Sequence, residues 1–482
     1  MVMQKIDNAL IPLKQESSTT GVTVVLSLAT LITSLAISSV NIILPELVSS
    51  LNTTFSHVQW MIIAYMLSLT STLVVAGQLS DMFGRKRLFL LGLVIFSISA
   101  GLSGFIQNLW MLVGMRVFQG VGGAILIAVT MAIISDIFPK NRIASAMGLI
   151  GSMSAIGTGL GPVVSGLLVD IFNWQIIFLL NIPIGILIYM LAKKHLPCDS
   201  HVKKKHPITV DYKGIFLLSS AILAYTLCIK LTRNCFDITN LVFCLLSVLF
   251  LLAFISVERN SLYPLIKLSM FKDRGLTLSL INNFIVSIVV MSSLVIGPFY
   301  LTIAFDLNTT QAGIAMAASP ITVAITSFFI GRIAKLFDLR KIILIGLFIL
   351  TLASVCMTLL NVTYGLMGYL FCLITIGVGY ATFLSTNNTL TMINALPQTR
   401  GSRSGILNLS RNLGLLTGAS VMSTIFASVS DITDIATANT YKVEAGLHAV
   451  YQLAIVFLIA AIIVQIIAIR TNNKVLVEHI HT

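Results

Sequence analysis

Few residues of this chain have types and spacing that could do chemistry, because only 10% of its 482 residues are charged. One cluster stands apart: Gly77-Gln-Leu-Ser-Asp81-Met-Phe-Gly84-Arg85-Lys86-Arg87. It places a carboxylate and three cations around a glycine-bounded turn, with an apolar run on either side. Asp81 can pair with a basic group or accept bonds from a helix N-terminus. Gly77 and Gly84 lack Cβ, so the chain can turn sharply and backbones can approach. Two other cations, Arg116 and Arg411, fall inside apolar runs, and Gln119 follows Arg116 by one helical turn. A charge inside a span is costly, and it is retained for function or held in a structural ion pair. The acids Glu46, Asp81, Asp136, Asp170 and Glu258 lie near the ends of apolar runs, and no acid lies at the middle of one. Nothing points to an enzyme. There is no phosphate-binding loop or nucleophile motif, and the six cysteines form no C-x-x-C pair. Neither a metal nor an organic cofactor is expected.

The elements that must position these residues follow from composition. The chain is 57% hydrophobic, with a mean hydropathy of +0.98, which marks a polytopic membrane protein. Short polar turns separate the apolar runs, so the fold class is all-α rather than a barrel. At about 20 residues per crossing, fourteen transmembrane helices are expected, near 22–47, 58–80, 88–106, 109–134, 145–169, 174–192, 213–231, 240–257, 276–303, 311–334, 341–360, 366–391, 404–429 and 446–470. The first run has no cleavage pattern after it and is expected to stay as an anchor.

Orientation comes from the basic residues. With the N-terminus inside, 25 of the 30 Lys and Arg fall in cytoplasmic segments, three (Lys230, Arg233, Lys442) outside, and two within helices. That asymmetry puts both termini in the cytoplasm. The formal net charge of +13 is therefore topology, and no nucleic-acid partner is expected. Lys203-Lys204-Lys205 in the longest linker would face solvent or anionic head groups.

The turn recurs in degenerate form. Gly331-Arg-Ile-Ala-Lys335-Leu-Phe-Asp338-Leu-Arg340-Lys341 ends the tenth span as Gly77–Arg87 ends the second, 254 residues earlier. Six spans plus a two-span insertion fit that offset. The organisation read from it is a tail (1–21), a six-helix half (22–192), a linker (193–212), a two-helix insert (213–257), an interfacial segment (258–275), a second half (276–470) and a tail (471–482). Two such halves with a site between them form a transporter plan. In the fifth span, Gly157 and Gly161 are four residues apart and Gly166 follows, which thins one helix face. Pro162 removes a backbone bond and allows a bend. Such a face suits a helix that slides against a neighbour, or one that packs tightly and stays.

Gly77–Arg87 resembles the loop signature between the second and third helices of the major facilitator superfamily. Arg116-Val-Phe-Gln119-Gly120-Val-Gly122-Gly123 resembles that family's fourth-helix motif, whose arginine faces the central cavity. Gly151–Gly166 resembles the signature of its exporter branches. Four further stretches are similar to its fourteen-helix drug:proton antiporter branch: Val40-Asn41-Ile-Ile-Leu44-Pro45, Gln59-Trp60-Met-Ile-Ile-Ala64-Tyr65, Trp174–Gly185, and Arg400–Ser404 leading to Arg411-Asn412-Leu-Gly414.

The resemblance implies the major facilitator fold, two six-helix halves plus a two-helix insert, acting as a monomer in the cell (inner) membrane. It implies proton-driven export of small amphipathic molecules or drugs from the cytoplasm by alternating access. The expected substrate pathway is Asn41, Trp60, Tyr65, Arg116, Gln119, Asn283, Tyr300, Asn387, Asn388 and Arg411. Gly77, Asp81, Gly84, Arg85 and Lys86 form the expected gating turn, and Gly157, Gly161, Pro162 and Gly166 the hinge helix. One position departs from the branch. A carboxylate is common five residues before the Asn41 position, and this chain has Ala36 there. Glu46 is then the candidate proton carrier. Export of an organic anion or metabolite such as a siderophore, with Arg116 and Arg411 supplying charge, is the alternative, and a non-transporting receptor or scaffold stands behind both.

Overall fold

The computed structural model describes residues 2–138, 143–197, 211–230, 238–261, 268–333, 336–393, 400–430 and 440–480; the side chains of 2–18 and 471–480, and some inside helices, are outside the description. The elements run α1 (Val2–Ile42), α2 (Leu44–Ser50), α3 (Phe55–Val58), α4 (Trp60–Phe83), α5 (Arg85–Ser103), α6 (Leu109–Ile137), α7 (Ile143–Ile171), α8 (Gln175–Leu179) and α9 (Asn181–His195). Then follow α10 (Tyr212–Lys230), α11 (Ile238–Asn260), α12 (Arg274–Ala304), α13 (Thr309–Met316), α14 (Ala318–Ile333), α15 (Leu339–Leu359), α16 (Gly365–Ile393), α17 (Arg400–Ser430) and α18 (Thr440–Ile480). All described elements are helical, and the chain is a multi-pass membrane protein.

The span count needs correction. Among the described residues, twelve helices, not fourteen, are long and apolar enough to cross a bilayer. The two expected crossings outside that set are α4 and α10. In α4 the side chains of residues 74, 78, 81 and 82 lie outside the description. In α10 the apolar stretch is only Lys213–Cys228, short of a full crossing. The first crossing is Thr19–Ile42, so it ends before the expected residue 47. Pro45 lies in the first two positions of α2, where a missing N–H costs nothing, and it separates α2 from α1. Lys203–Lys205, and residues 262–267 of the expected interfacial segment, lie outside the described residues.

Packing sorts the helices into two groups. In the first, α1 packs on α7, α4 on α6, and α5 on α6 and α9. In the second, α12 packs on α17 and α18, α15 on α16 and α18, and α14 on α16. The seam between the groups is made mainly by α7 against α13 and α14, and by α4 against α17. The pair α10–α11 lies alongside: α10 touches both α4 and α17, and its Tyr225 hydroxyl is 3.1 Å from Thr417 Oγ1.

Several buried serines and threonines bond within their own helix. Thr30, Thr33, Thr70, Ser99 and Thr391 each bond a carbonyl three or four residues back on their own helix. Gly84 joins α4 to α5 at φ 91°, a conformation that L side chains rarely adopt. The turn's cations do more than orient it. Arg85 reaches the Ala132 carbonyl and pairs with Asp136 at the end of α6. Lys86 Nζ donates to the carbonyls of Lys193 (2.8 Å) and Leu196 (2.6 Å) at the end of α9. Lys86 therefore sits where the C-terminus of α9 leaves carbonyls unsatisfied, and Arg85 holds the last turns of α6 through Ala132 and Asp136. The Asp81 side chain lies outside the description.

Candidate functional site

Arg116 lies two turns into α6, which starts from an Asn108 cap accepting from Trp110 N (2.9 Å) and Met111 N (3.2 Å). Its side chain is 1% exposed. Nε donates to the Met61 carbonyl on α4 (3.2 Å), Nη1 to Gln119 Oε1 on its own helix (2.6 Å), and Nη2 to the Ala36 carbonyl on α1 (3.4 Å). The guanidinium carbon stands 4.2 Å from the centre of the Tyr65 ring, which gives the cation a π face. Among the described residues, no carboxylate forms an ion pair with Arg116. Glu46 in particular is not its partner. Five N–H groups and one full charge are thus met by three dipoles and a ring.

Beside the guanidinium is a cavity with room for about one water-sized particle. It is lined by Leu35, Ala36, Ser39 and Val40 of α1, Arg116 and Gln119 of α6, Ile177 and Phe178 of α8, and Asn181 of α9. All of these belong to the first helix group. The arginine therefore faces a pocket whose lining comes from that group alone. Ser39 Oγ, Gln119 Nε2 and Asn181 Oδ1 are buried there without a protein partner. Tyr65 Oη and both amide atoms of Asn41 are also buried and unpartnered.

The seam has two unlike ends. We call the end carrying Gly84 and Asp273 the basic end. At the opposite end, a Cβ built on Gly166 of α7 would lie 2.6 Å from the Thr309 carbonyl, and one on Gly313 of α13 would strike the Pro162 carbonyl. Asp170 Oδ2 accepts from Thr310 N (3.2 Å), at the N-terminus of α13 in the other group. Phe55 of α3 packs edge-on against Phe299 of α12 (4.3 Å between ring centres) and Phe426 of α17 (5.9 Å). Glu46 of α2 lies beyond the end of the first crossing. Burial, and secondarily the charge of Asp170, raise its carboxyl to about 7.

At the basic end these contacts are missing among the described residues. Gly151 precedes Pro162 by eleven residues and Gly166 by fifteen, close to three and four full turns, so all three share a face of α7. Yet Gly151 is exposed, and a Cβ there would meet nothing within 4 Å; Gly77 and Gly405 likewise meet nothing. Two described ion pairs at this end stay within their own groups: Arg85 with Asp136, and Arg403 Nη2 with Asp273 Oδ2 at 2.9 Å.

The remaining expected site residues are dispersed. Trp60 is half-buried at the start of α4. Buried Asn283 donates to the Leu407 carbonyl (2.9 Å), and buried Asn387 accepts from Ser279 Oγ (2.5 Å), so both tie α12 to its own group. Asn388 is exposed. Buried Tyr300 stacks 5.4 Å from Tyr369. Arg411 is half-buried, with Nε unpartnered. On α7, Gly157 meets the Leu31 carbonyl of α1 and Gly161 meets Ser38, so those two glycines seat α7 against α1. The sequence reading missed Phe55, Phe299, Phe426 and the Asp170–Thr310 contact. Its only available signal was a phenylalanine next to Thr53-Thr54 in an otherwise polar connection. It also missed Glu444, buried at the start of α18 and 3.9 Å from His448 Nε2.

A family model described as Major Facilitator Superfamily matches residues 26–419. The chain is 31% identical over 390 residues to the riboflavin transporter RibZ of Clostridioides difficile (strain 630), covering 81% of this chain and 84% of that protein. It is 25% identical over 380 residues to Multidrug resistance protein 3 of Bacillus subtilis (strain 168), covering 78% and 73%. Among solved structures, it is similar in fold to a bacterial homologue of the human lysosomal transporter Spinster in an inward-facing and occupied conformation. That likeness has a TM-score of 0.67 at 14% identity, over 94% of this chain and 97% of that one.

Proposed function

The chain belongs to the major facilitator superfamily, whose members are transporters rather than enzymes, and from that premise we propose that it exports amphipathic small molecules or drugs from the cytoplasm by alternating access, driven by protons. The observation that carries this reading is the unequal seam, closed by Phe55, Phe299 and Phe426 at one end and open around Gly151 at the other. A seam with one end shut is what a carrier needs in one half of its cycle. In this reading the basic end faces the cytoplasm, both termini lie there, and the chain works as a monomer in the inner membrane. The α10–α11 pair is the insert between the halves. Gly77–Lys86 is the gating turn, Gly157–Gly166 the sliding helix, and Glu46 the proton carrier. The named relative Multidrug resistance protein 3 supports the drug reading.

A second reading is export of an organic anion or metabolite. It is favoured by Arg116, a buried cation that no described carboxylate pairs, and by the likeness to a riboflavin transporter. One experiment separates the readings. Inside-out membrane vesicles containing the full chain are supplied from the bath with a lipophilic cation, riboflavin or a carboxylated metabolite, with and without a pH gradient. Uptake of the cation that collapses with the gradient is the expected result. Uptake of only the anion moves the assignment to the second reading, and no uptake of any probe overturns both.

A further inference from the structure

We propose that the pocket between α1, α6, α8 and α9 binds a small inorganic anion of the halide class, which serves as the counter-ion of Arg116. The inference does not depend on the substrate or on the direction of transport. Arg116 is 1% exposed and carries a full charge in a membrane-embedded bundle. A buried charge is normally paired or satisfied by hydrogen bonds. Its three acceptors take three of five N–H groups, and the contact to the Ala36 carbonyl is long at 3.4 Å.

The polar atoms around the cavity are mostly donors. Ser39 Oγ and Gln119 Nε2 line the pocket, are buried, and have no partner. The Gln119 orientation is set by its Oε1, which already accepts from Arg116 at 2.6 Å, so Nε2 is left to donate. Asn181 Nδ2 is used on the carbonyls of Ile177 (2.9 Å) and Phe178 (3.2 Å), which leaves Oδ1 as the one unpartnered acceptor. A guanidinium, a hydroxyl and an amide N–H around one small cavity suit an anion. A water would satisfy the donors but leave the charge unmatched.

The shape argues for an ion rather than the head group of a substrate. The cavity holds about one water-sized particle, too little for a substrate head group, and its lining comes from one group alone. The wall residue Ala36 shows how the space arises: its methyl group leaves room where a longer side chain would reach the arginine.

The test uses the full chain purified in detergent. Chloride replaces gluconate at constant ionic strength, and binding is read by 35Cl line broadening and by the thermal unfolding midpoint. Saturable broadening and a higher midpoint in chloride are expected. Ser39→Ala should weaken the chloride midpoint about tenfold, as expected for a lost hydrogen bond to a charge. Ala36→Asp should abolish both chloride effects while the protein stays folded, because an internal carboxylate takes the ion's place. Three results overturn the proposal. One is equal behaviour in chloride and gluconate, which assigns the pocket to water. Another is chloride binding that survives Ala36→Asp and Ser39→Ala unchanged, which places the ion elsewhere. The third is displacement of chloride by acetate at equal concentration, which assigns the pocket to the carboxylate of an organic substrate.

Discussion

The two ends of the seam are built from the same helix with opposite results. On α7, Pro162 and Gly166 touch α13 so closely that a single added methyl would collide with backbone. Gly151, on the same face three to four turns away, touches nothing. One helix thus carries a used and an unused contact surface. The ion pairs divide the same way. At the basic end, Arg85–Asp136 and Arg403–Asp273 lock each group to itself. At the opposite end, Asp170 reaches across to the other group's backbone. The lesson is that what closes the shut end is weak and reversible. It consists of aromatic packing, bare backbone and one carboxylate on a helix N-terminus, and no described salt bridge there must be broken.

The largest effect on this comparison is expected from Phe55→Ala. Its ring is fully buried between Phe299 and Phe426, and removing a buried phenylalanine costs about 3–5 kcal/mol. Much of that loss falls on the shut end, so spin labels placed across it should report widening, with distances at the basic end unchanged or shorter. Unaltered distances at both ends would remove the phenylalanine cluster from the closure.

The two glycine surfaces of α7 make the next test. Gly166→Leu drives a side chain into Thr309 and should cost about 1–3 kcal/mol in thermal stability, the range for overpacking. Gly151→Leu meets open space and should leave stability within about 0.5 kcal/mol. Its cost should appear in transport, by blocking approach of the basic ends. A fully active Gly151→Leu protein would mean that these ends never close on that face.

How much of this was legible in the sequence depends on what kind of partner each residue takes. Arg116 is visible because a charge inside an apolar run has no ordinary explanation. Its partners are not, since two are backbone carbonyls, Met61 and Ala36, and a carbonyl carries no sequence signal. The Phe55 cluster is hidden for a related reason. The chain has 26 phenylalanines, and nothing local marks the three that meet across the seam. The helices themselves are legible from apolar length, and breaks such as Ile43 and Ala317 are less so, because a short kink leaves the apolar run intact. Arg85 and Lys86 read as topology signals and turn out also to hold the end of α6 and cap α9, a double use that charge counting cannot separate.

A pH effect should sharpen the same contrast. With the seam shut, Glu46 titrates near 7, whereas a water-exposed carboxyl titrates near its ordinary 4.5. The shut form therefore binds its proton more tightly. Below about pH 4.5 both forms are protonated and the shut form keeps its full advantage. As pH rises towards 7 that advantage is lost, and above 7 it is gone. Spin-label distances at this end should widen between pH 5 and pH 8 in the wild type and stay constant in Glu46→Gln. A pH response that persists in Glu46→Gln would remove Glu46 as its source.

The smallest effect, and the most discriminating, is expected from Asp170→Asn. Asp170 acts on the shut end in two opposed ways. Its carboxylate accepts from Thr310 N at the start of α13, a charge–dipole contact worth about 0.3–1 kcal/mol. An asparagine keeps an acceptor there but loses the charge, so closure weakens slightly. The same charge also raises the Glu46 carboxyl, as the second cause after burial. Neutralising it should lower the Glu46 midpoint, while burial keeps that midpoint above the ordinary value. At pH 5 only the first effect is felt, and the variant should be slightly more open than the wild type. The wild type should then open between about pH 4.5 and about pH 7, and in the variant the upper limit of that range should move to lower pH. A uniform widening at every pH, with no shift of the transition, would separate Asp170 from Glu46 and leave it as a helix cap alone.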